Sequence, residues 1–458
     1  MKTNIRILAI GGFMAAALCA SAQNTASGYF LDEYTYRYQM NPAMGNEKGF
    51  VSMPGLGNVN VAVRGNLHLS SVLYNVNGKT CLFTNPGVSA AEALDGFHDK
   101  NKLSSDVKIN VLSLGFKAFK GYNTISVNAR ANVNAIVPKS FIQLAKEGAT
   151  NRTYDITDLK ASGTGYAEVA FNHSHDIKQV PGLRVGGTVK ALLGVASLDA
   201  RLNNAHLTLG ENEWTATTNG EIFANIGGFQ YEMEKNKTGH DYVHGANLDG
   251  DGSVGVNGFG MAFDLGATYK WGDWEFSLAA LDLGWITYNK TQVASTNGDR
   301  TFNTDAYIFN PDNDAPNSFS KEWKNMRNGL EDLYQMDNNG EQGTHKMSLG
   351  TTVNAGVRYE LPVYRKLHLG LLSTTRLQGK YSWTECRLSA NVAPAKCFSA
   401  DVNVVAGTYG MGFGWLLNFH HTGFNFFLGM DQTLGKVTKQ FAPLNSNASV
   451  NLGMNFLF

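Results

Sequence analysis

Apolar and polar positions alternate along most of the chain, and the alternation reads as a succession of strands. The clearest runs from Ile125 to Val137, where Val127, Ala129, Ala131, Val133 and Ala135 interleave with Ser126, Asn128, Arg130, Asn132 and Asn134. A period of two sends these sets to opposite faces of a strand. Val59 to Val63, continuing to Leu67 and Leu69, repeats the pattern against Asn58, Asn60, Arg64, Asn66 and His68. Further strands are predicted at about 106–119, 163–175, 183–196, 257–271, 274–288, 347–359, 366–379, 381–392, 397–408, 410–420 and 423–432. The last is Val450, Leu452, Met454, Phe456 and Phe458, an apolar stripe interleaved with Asn451, Gly453 and Asn455. A free terminal strand of this kind would template aggregation. In a barrel closed within a bilayer it has no free edge, and its stripe meets lipid. The pattern therefore predicts an all-β fold: a closed antiparallel transmembrane barrel of 14 strands, or 16 if residues 198–226 add two. Asp199, Arg201, Glu211 and Glu213 crowd that stretch and favour a hairpin standing above the membrane.

The connectors support the same layout. Lys120–Asn123, Gly272-Asp273, Leu361–Arg365, Ala393–Lys396 and His420–Gly423 are short, whereas 74–105, 138–162, 197–256, 289–346 and 433–447 are mostly long. Short inner turns opposite long outer loops are the habit of bacterial outer-membrane barrels. Phe119 and Tyr122, Trp271 and Trp274, Tyr359 and Tyr364, and Phe419 and Phe424 bracket the short turns, as an interfacial girdle would. Helical spacing predicts short helices in two outer loops, over Pro138–Gly148 and through Phe319, Trp323, Met326, Leu330 and Leu333.

The first residues differ. Lys2 and Arg6 precede an apolar run from Ile7 to Leu18, and Ala20-Ser21-Ala22 fits a cleavage site, so residues 1–22 read as a signal peptide. The run is shorter than the roughly 20 residues of a membrane span. Residues 23–55 lack clean alternation and are rich in aromatics, which predicts an N-terminal plug or periplasmic segment ahead of a barrel spanning 56–458. Its candidate plug and substrate-path residues are Tyr29, Phe30, Tyr34, Tyr36, Asn41, Pro42 and Ala43.

Charged residues are 17% of the chain and the net charge is zero, which removes the electrostatic case for nucleic acid. The mean hydropathy of −0.21 suits strands whose two faces cancel. Arg64, Lys108, Arg130, Arg184, Lys190, Lys270 and Arg358 are predicted to face the lumen, with Glu168, Asp264, Glu275 and Asp431. Charges at membrane depth must be paired or wetted, so the interior is either a hydrated pore or a plugged polar core. Inward apolar side chains on strands are predicted to be few: Leu416, Phe427 and Leu457. Asn247, Asp249 and Asp251 resemble half a calcium loop, but Gly258 stands where the closing carboxylate belongs, and a plain turn fits better. His173 and His175 share a strand face with no third ligand in view, and Cys386 and Cys397 flank a turn across which they are candidates to pair. No nucleophile motif is present, and neither enzyme activity nor a cofactor is expected.

Several stretches carry a resemblance. YFLDEYTYRYQMNPA (Tyr29–Ala43), AFKGYNTISV (Ala118–Val127), GFGMAFDLGATYK (Gly258–Lys270) and LAALDLGWI (Leu278–Ile286) together resemble an uncharacterised family of Bacteroidota outer-membrane barrels. That family is similar to the FadL transporters of hydrophobic compounds and to the PorV-like barrels of type IX secretion. The resemblance implies fourteen strands, integral outer-membrane localisation and a plug with an Asn-Pro-Ala element, here Asn41-Pro42-Ala43. It implies passage of small hydrophobic molecules or, alternatively, a non-transporting barrel that docks a partner protein. The ending through Val450, Leu452, Met454, Phe456 and Phe458 also resembles the signal read by the barrel assembly machinery. The partners implied are outer-membrane lipid, that machinery, and a hydrophobic small molecule or a protein.

Overall fold

The computed structural model describes residues 26–148, 150–235, 239–248, 255–303, 318, 321–322, 333, 335–431 and 447–458. The expected signal peptide, Asp249 and Asp251 of the calcium-like turn, and most of the helical pattern at 319–333 lie outside the described residues.

Fourteen strands form the wall. They are β1 (Phe50–Ser52 and Val59–Gly65), β2 (Lys100–Ala118), β3 (Gly121–Pro138), β4 (Lys160–Asp176), β5 (Leu183–Leu209), β6 (Gly258–Trp271) and β7 (Trp274–Tyr288). They continue as β8 (His345–Ser348 and Thr351–Glu360), β9 (Leu367–Leu377), β10 (Trp383–Ala395), β11 (Phe398–Gly407), β12 (Gly410–His421), β13 (Phe424–Asp431) and β14 (Ala448–Leu457). Each strand pairs antiparallel with the next, and β14 returns to β1 with Phe50 opposite Leu457 and Val61 opposite Val450. Closure gives every wall strand two paired edges, which a lipid surround demands.

Outward positions carry the apolar set. Phe259, Leu265, Leu278, Leu388 and Val404 are exposed, whereas Asn128, Asn172, Asn403, Asn451 and Asn455 are buried on the inner face. At one rim the turns are tight. The turn between β2 and β3 has Phe119 and Lys120 both left-handed (φ 54° and 60°), the twist a two-residue hairpin requires. Around that rim Trp271, Trp274, Tyr364, Phe419, Phe456 and Phe458 are exposed. Their rings meet across strands, Trp274 with Tyr359 at 4.6 Å and Phe398 with Phe419 at 5.0 Å. Tyr122 departs from the predicted girdle: it is buried, and its hydroxyl donates to the Lys48 carbonyl at 3.0 Å inside the barrel.

At the opposite rim the upper half of β5 leaves β6 and pairs with Glu213–Ile226, Trp214 opposite Leu209. That strand pairs with Gln292–Asn303, which pairs with Asp337–Glu341. The 198–226 region thus stands above the wall as a hairpin, and the barrel keeps fourteen strands. A helix at Lys139–Glu147 occupies the predicted 138–148 loop and packs Ile142 beside Leu67, Phe97 and Val137.

Three expectations need correcting. The wall starts at Phe50, inside the stretch assigned to the plug, because Phe50–Ser52 pairs with both β2 and β14. Cys386 lies opposite Ala406 and Cys397 lies in the turn before Phe398, about 30 Å apart at 3.3 Å per residue, so both are free. Inward apolar side chains are also more numerous than predicted. Leu192, Ile286, Leu372 and Tyr166 are buried alongside Leu416 and Phe427. A single alternation per strand misplaces some of these, because bulges at Gly165/Tyr166 and within Phe263/Leu265 invert it.

Candidate functional site

Residues 26–49 run inside the lumen. They advance by tight turns, with Tyr29, Leu31 and Tyr34 amides donating to the Ala26, Gly28 and Leu31 carbonyls, then a 3-10 turn at Arg37–Gln39. Tyr29, Phe30, Tyr34, Tyr36, Tyr38 and Met40 are all under 5% exposed and form one cluster with wall residues Phe50, Leu372, Leu416 and Phe427. Tyr34 and Tyr36 meet the Phe427 ring at 5.0 and 5.8 Å, edge-on as aromatic quadrupoles prefer.

Buried hydroxyls need partners, and the wall supplies them. Tyr29 donates to Ser277 at 3.2 Å and Tyr36 to Asn455 at 2.8 Å, while Asn451 donates to the Tyr34 oxygen at 2.9 Å. The plug carbonyls are met in the same way. Asn172 donates to Pro42 (3.2 Å), Arg184 to Ala43 (2.8 Å), Asn354 to Met40 (2.9 Å), Arg358 to Phe30 (3.3 Å) and Asn418 to Glu33 (3.1 Å). Arg358 also pairs with Asp32 and Glu275, each at 2.8 Å.

Asn41 closes a local turn by accepting the Ala43 amide at 3.0 Å. Its amide group reaches the Ala267 and Leu278 carbonyls at 3.3 and 3.4 Å. The wall makes room here with glycine. A Cβ on Gly266 would stand 2.1 Å from the Asn41 side-chain oxygen, one on Gly186 2.2 Å from the Pro42 carbonyl, and one on Gly370 2.3 Å from the Phe30 ring.

Above the plug the inner wall becomes ionic. Lys190 lies 2.7 Å from Asp264 and 2.6 Å from Asp282. Arg130 grips both Asp282 oxygens at 2.9 Å and Glu168 at 2.9 Å. Across the lumen Arg387 pairs with Asp431 at 2.9 Å and with Glu385 at 3.2 Å. Arg64 lies over the Trp383 ring at 4.4 Å. The plug's start is fastened to this collar: the Ala26 amide donates to Asp431 at 2.9 Å and the Ser27 hydroxyl bonds the same carboxylate.

Asp282 reaches the collar through a bulge. It is left-handed (φ 59°), and its amide donates to the Asp264 carboxylate at 2.7 Å. Leu281 and Asp282, though consecutive, are therefore both buried on the inner side.

Between plug and collar lies a cavity of about 60 Å³, floored by Tyr29, Gln39 and Met40 and walled by Arg64, Lys108, Arg130 and Arg376. A second, of about 30 Å³, continues outward past Asn132, Ser162 and Gln378, and the two share Asp106, Arg130, Asp282 and Arg376. At the mouth the β9–β10 connector reaches across the opening. Gln378 donates to Asn132 at 3.2 Å, and Lys380 pairs with Asp158, which Lys100 also contacts at 2.7 Å. The Lys100 and Lys380 hydrogen bonds hold the Asp158 carboxyl well below the usual carboxylate range.

All seven predicted plug residues lie in the lumen, and Arg64, Lys108, Arg130, Arg184, Lys190, Asp264 and Arg358 line its inner wall. The structure divides that second set: Arg184 and Arg358 hold the plug, and the other five belong to the collar or its cavity. Sequence reasoning missed Asp282, Glu385 and Arg387. Val450, Leu452, Met454, Phe456 and Phe458 alternate with the buried Asn451 and Asn455, and Phe456 and Phe458 are exposed. Asn247 is exposed and lies opposite Gln230 near the end of the strand Asp241–Leu248. Among the described residues no group of three or more metal-ligating side chains is assembled. His173 and His175 bond each other at 3.2 Å, and His173 also bonds Asn123.

Across residues 42–431 the sequence matches the model of a family described as "Family of unknown function (DUF5723)". No characterised protein matches the sequence. Solved structures similar to it include a deletion mutant of the monoaromatic hydrocarbon channel TodX, at 8% identity over 96% of this chain and 98% of that one, with a TM-score of 0.44. The toluene transporter TbuX of Ralstonia pickettii is similar at 9% identity over 92% of each chain (TM-score 0.42). A FadL homologue of Pseudomonas aeruginosa is similar at 10% identity over 96% and 98% (TM-score 0.37).

Proposed function

We propose that this chain, which belongs to the DUF5723 family of unknown function, is an outer-membrane barrel that passes small, mainly hydrophobic molecules when its plug shifts. One observation carries the reading: the lumen is filled by a separate segment, residues 26–49, for which the wall leaves space at Gly186, Gly266 and Gly370. A barrel sealed for strength alone needs no such seat, because wall side chains fill it. With the plug withdrawn the lumen has two unlike levels. Leu372, Leu416 and Phe427, now under plug aromatics, form an apolar track, and the ionic groups of β3 to β7 and of β10 and β13 stand above it. A solute with an apolar body fits the track.

The exposed apolar band and the one-sided girdle support outer-membrane placement, with the long connectors outside. Protease added to intact cells should therefore cut within 289–346 and spare Phe119–Lys120. The reverse pattern would overturn this orientation. The passage test is deletion of residues 26–46, leaving Phe50 to start the wall. In a planar bilayer the deletion should conduct at least tenfold more than the intact protein. A folded, heat-modifiable deletion barrel that stays silent removes passage.

A second reading is favoured by a different observation. The sheet of Glu213–Ile226, Gln292–Asn303 and Asp337–Glu341 stands above the rim as a broad surface. It suits a barrel that docks a partner protein. A stoichiometric partner retained through mild-detergent purification supports docking, and repeated recovery of the chain alone counts against it.

A further inference from the structure

We infer that the cavity above the plug is a binding site for a small organic anion of carboxylate type, centred on Lys108. The site is a property of the collar and goes beyond the passage reading, whose mainly hydrophobic solute it does not name. Lys108 is 7% exposed and lines the cavity from β2. Among the described residues its ammonium donates no hydrogen bond and makes no ion pair. The carboxylates nearest in its field, Glu168 and Asp282, are already gripped by Arg130 and Lys190. An ammonium has three donors, and one buried in a wall needs acceptors. The cavity is where they must come from.

The sign of the site follows from its lining. Of the five cations that line it, Arg64 pairs with Glu385, Arg376 with Asp106, Arg130 with Glu168 and Asp282, and Lys190 with Asp264, which leaves Lys108 the lining cation without a carboxylate partner among the described residues. Thr352 adds a neutral hydroxyl suited to a carboxylate's second oxygen, beside Thr374, whose own hydroxyl donates to Asn354 at 2.9 Å. About 60 Å³ admits a two-carbon acid, or a few waters. The approach is cationic as well, since Lys100, Lys160 and Lys380 surround the single Asp158 at the mouth.

The test uses the folded full-length barrel in detergent micelles, with fluoroacetate as probe and fluoroacetamide as its neutral isostere, read by fluorine saturation transfer. Fluoroacetate should bind and fluoroacetamide should not. Lys108→Met should weaken fluoroacetate at least tenfold. Thr374→Leu, which fills the cavity without touching the charge, should do the same and stands in if the first variant fails to fold. Lys366→Met, on an inner turn, should bind as the parent does. Equal binding of the two probes, unchanged affinity in both cavity variants, or no binding to the folded parent (a cavity holding water only) each overturns the site. The plug stays in place throughout, so such a failure leaves the conductance of the plug deletion to be judged separately.

Discussion

The lower lumen and the collar above it are both polar and both buried, yet they are satisfied in different ways. Around the plug, wall asparagines end on plug carbonyls and hydroxyls, as at Asn172, Asn354, Asn418 and Asn451. In the collar, wall side chains end mainly on one another, as in the Arg130, Glu168, Lys190, Asp264 and Asp282 group. The lower half is therefore complete only with the plug present, whereas the collar belongs to the wall. Loss of the plug should leave a set of unpaired neutral groups that water can serve, beneath an ionic ring that persists.

The collar is where that contrast breaks hardest. Asp282→Ala leaves Arg130 with Glu168 and Lys190 with Asp264 but removes three buried charge-assisted hydrogen bonds, a loss of about 3–5 kcal/mol in all. Denaturant unfolding in vesicles should show that loss, and a drop below about 1 kcal/mol would mean the collar is wetted throughout. Gly186→Val strikes the plug's seat instead. Its added carbons collide with the Pro42 carbonyl, and such overpacking costs about 1–3 kcal/mol. Here the plug should yield rather than the wall, so channel noise should rise while the β-sheet circular dichroism signal stays constant. Asn41→Ala removes donors to two wall carbonyls and should cost about 1–2 kcal/mol, read as faster proteolysis of the plug than of the wall.

The mouth clasp gives the smallest effect. Asp158→Asn should change stability by no more than about 1 kcal/mol, because its lysines at 100 and 380 are more than half exposed. The carboxyl of Asp158 is depressed in the folded state, so its contribution is present above the ordinary carboxylate pKa of about 3.9 and is lost only as acid titrates the folded form. The clasp should then be indifferent to pH between 5 and 8 and sensitive to salt. A transition in gating near pH 6 that Asp158→Asn abolishes would contradict this.

How much of this was readable beforehand depends on where the period-two rule holds. It holds along Ile125–Val137, so β3 and its inward Arg130 could be placed from sequence. Residues 26–49 were separable by their lack of the rule, since turns that follow a lumen have no face to repeat. Asp282 could not be placed. Reading outward from Phe276 and Leu278 puts position 282 on the lipid face, and the bulge that turns it inward leaves only the oddity of an aspartate in an apolar run. Tyr122 was misread for a related reason. Its position beside a short turn is shared with girdle aromatics, and only the plug's arrival at Lys48 explains why it turns in.

The plug is tethered to the strand that seals the ring. Phe50 follows it directly and pairs with both Gly115 and Leu457. The plug's own bonds are distant in sequence, Ser27 to Asp431 and Tyr36 to Asn455 being separated by 404 and 419 residues. Contacts so far apart form late, because the loop they close must be ordered first. Phe50 lies at the rim, so residues 26–49 reach their seat from that end of the bore, held by the strand they precede. The first strand made has to wait for the last before the tether is fixed, and the plug it carries settles only into a ring that is already closing.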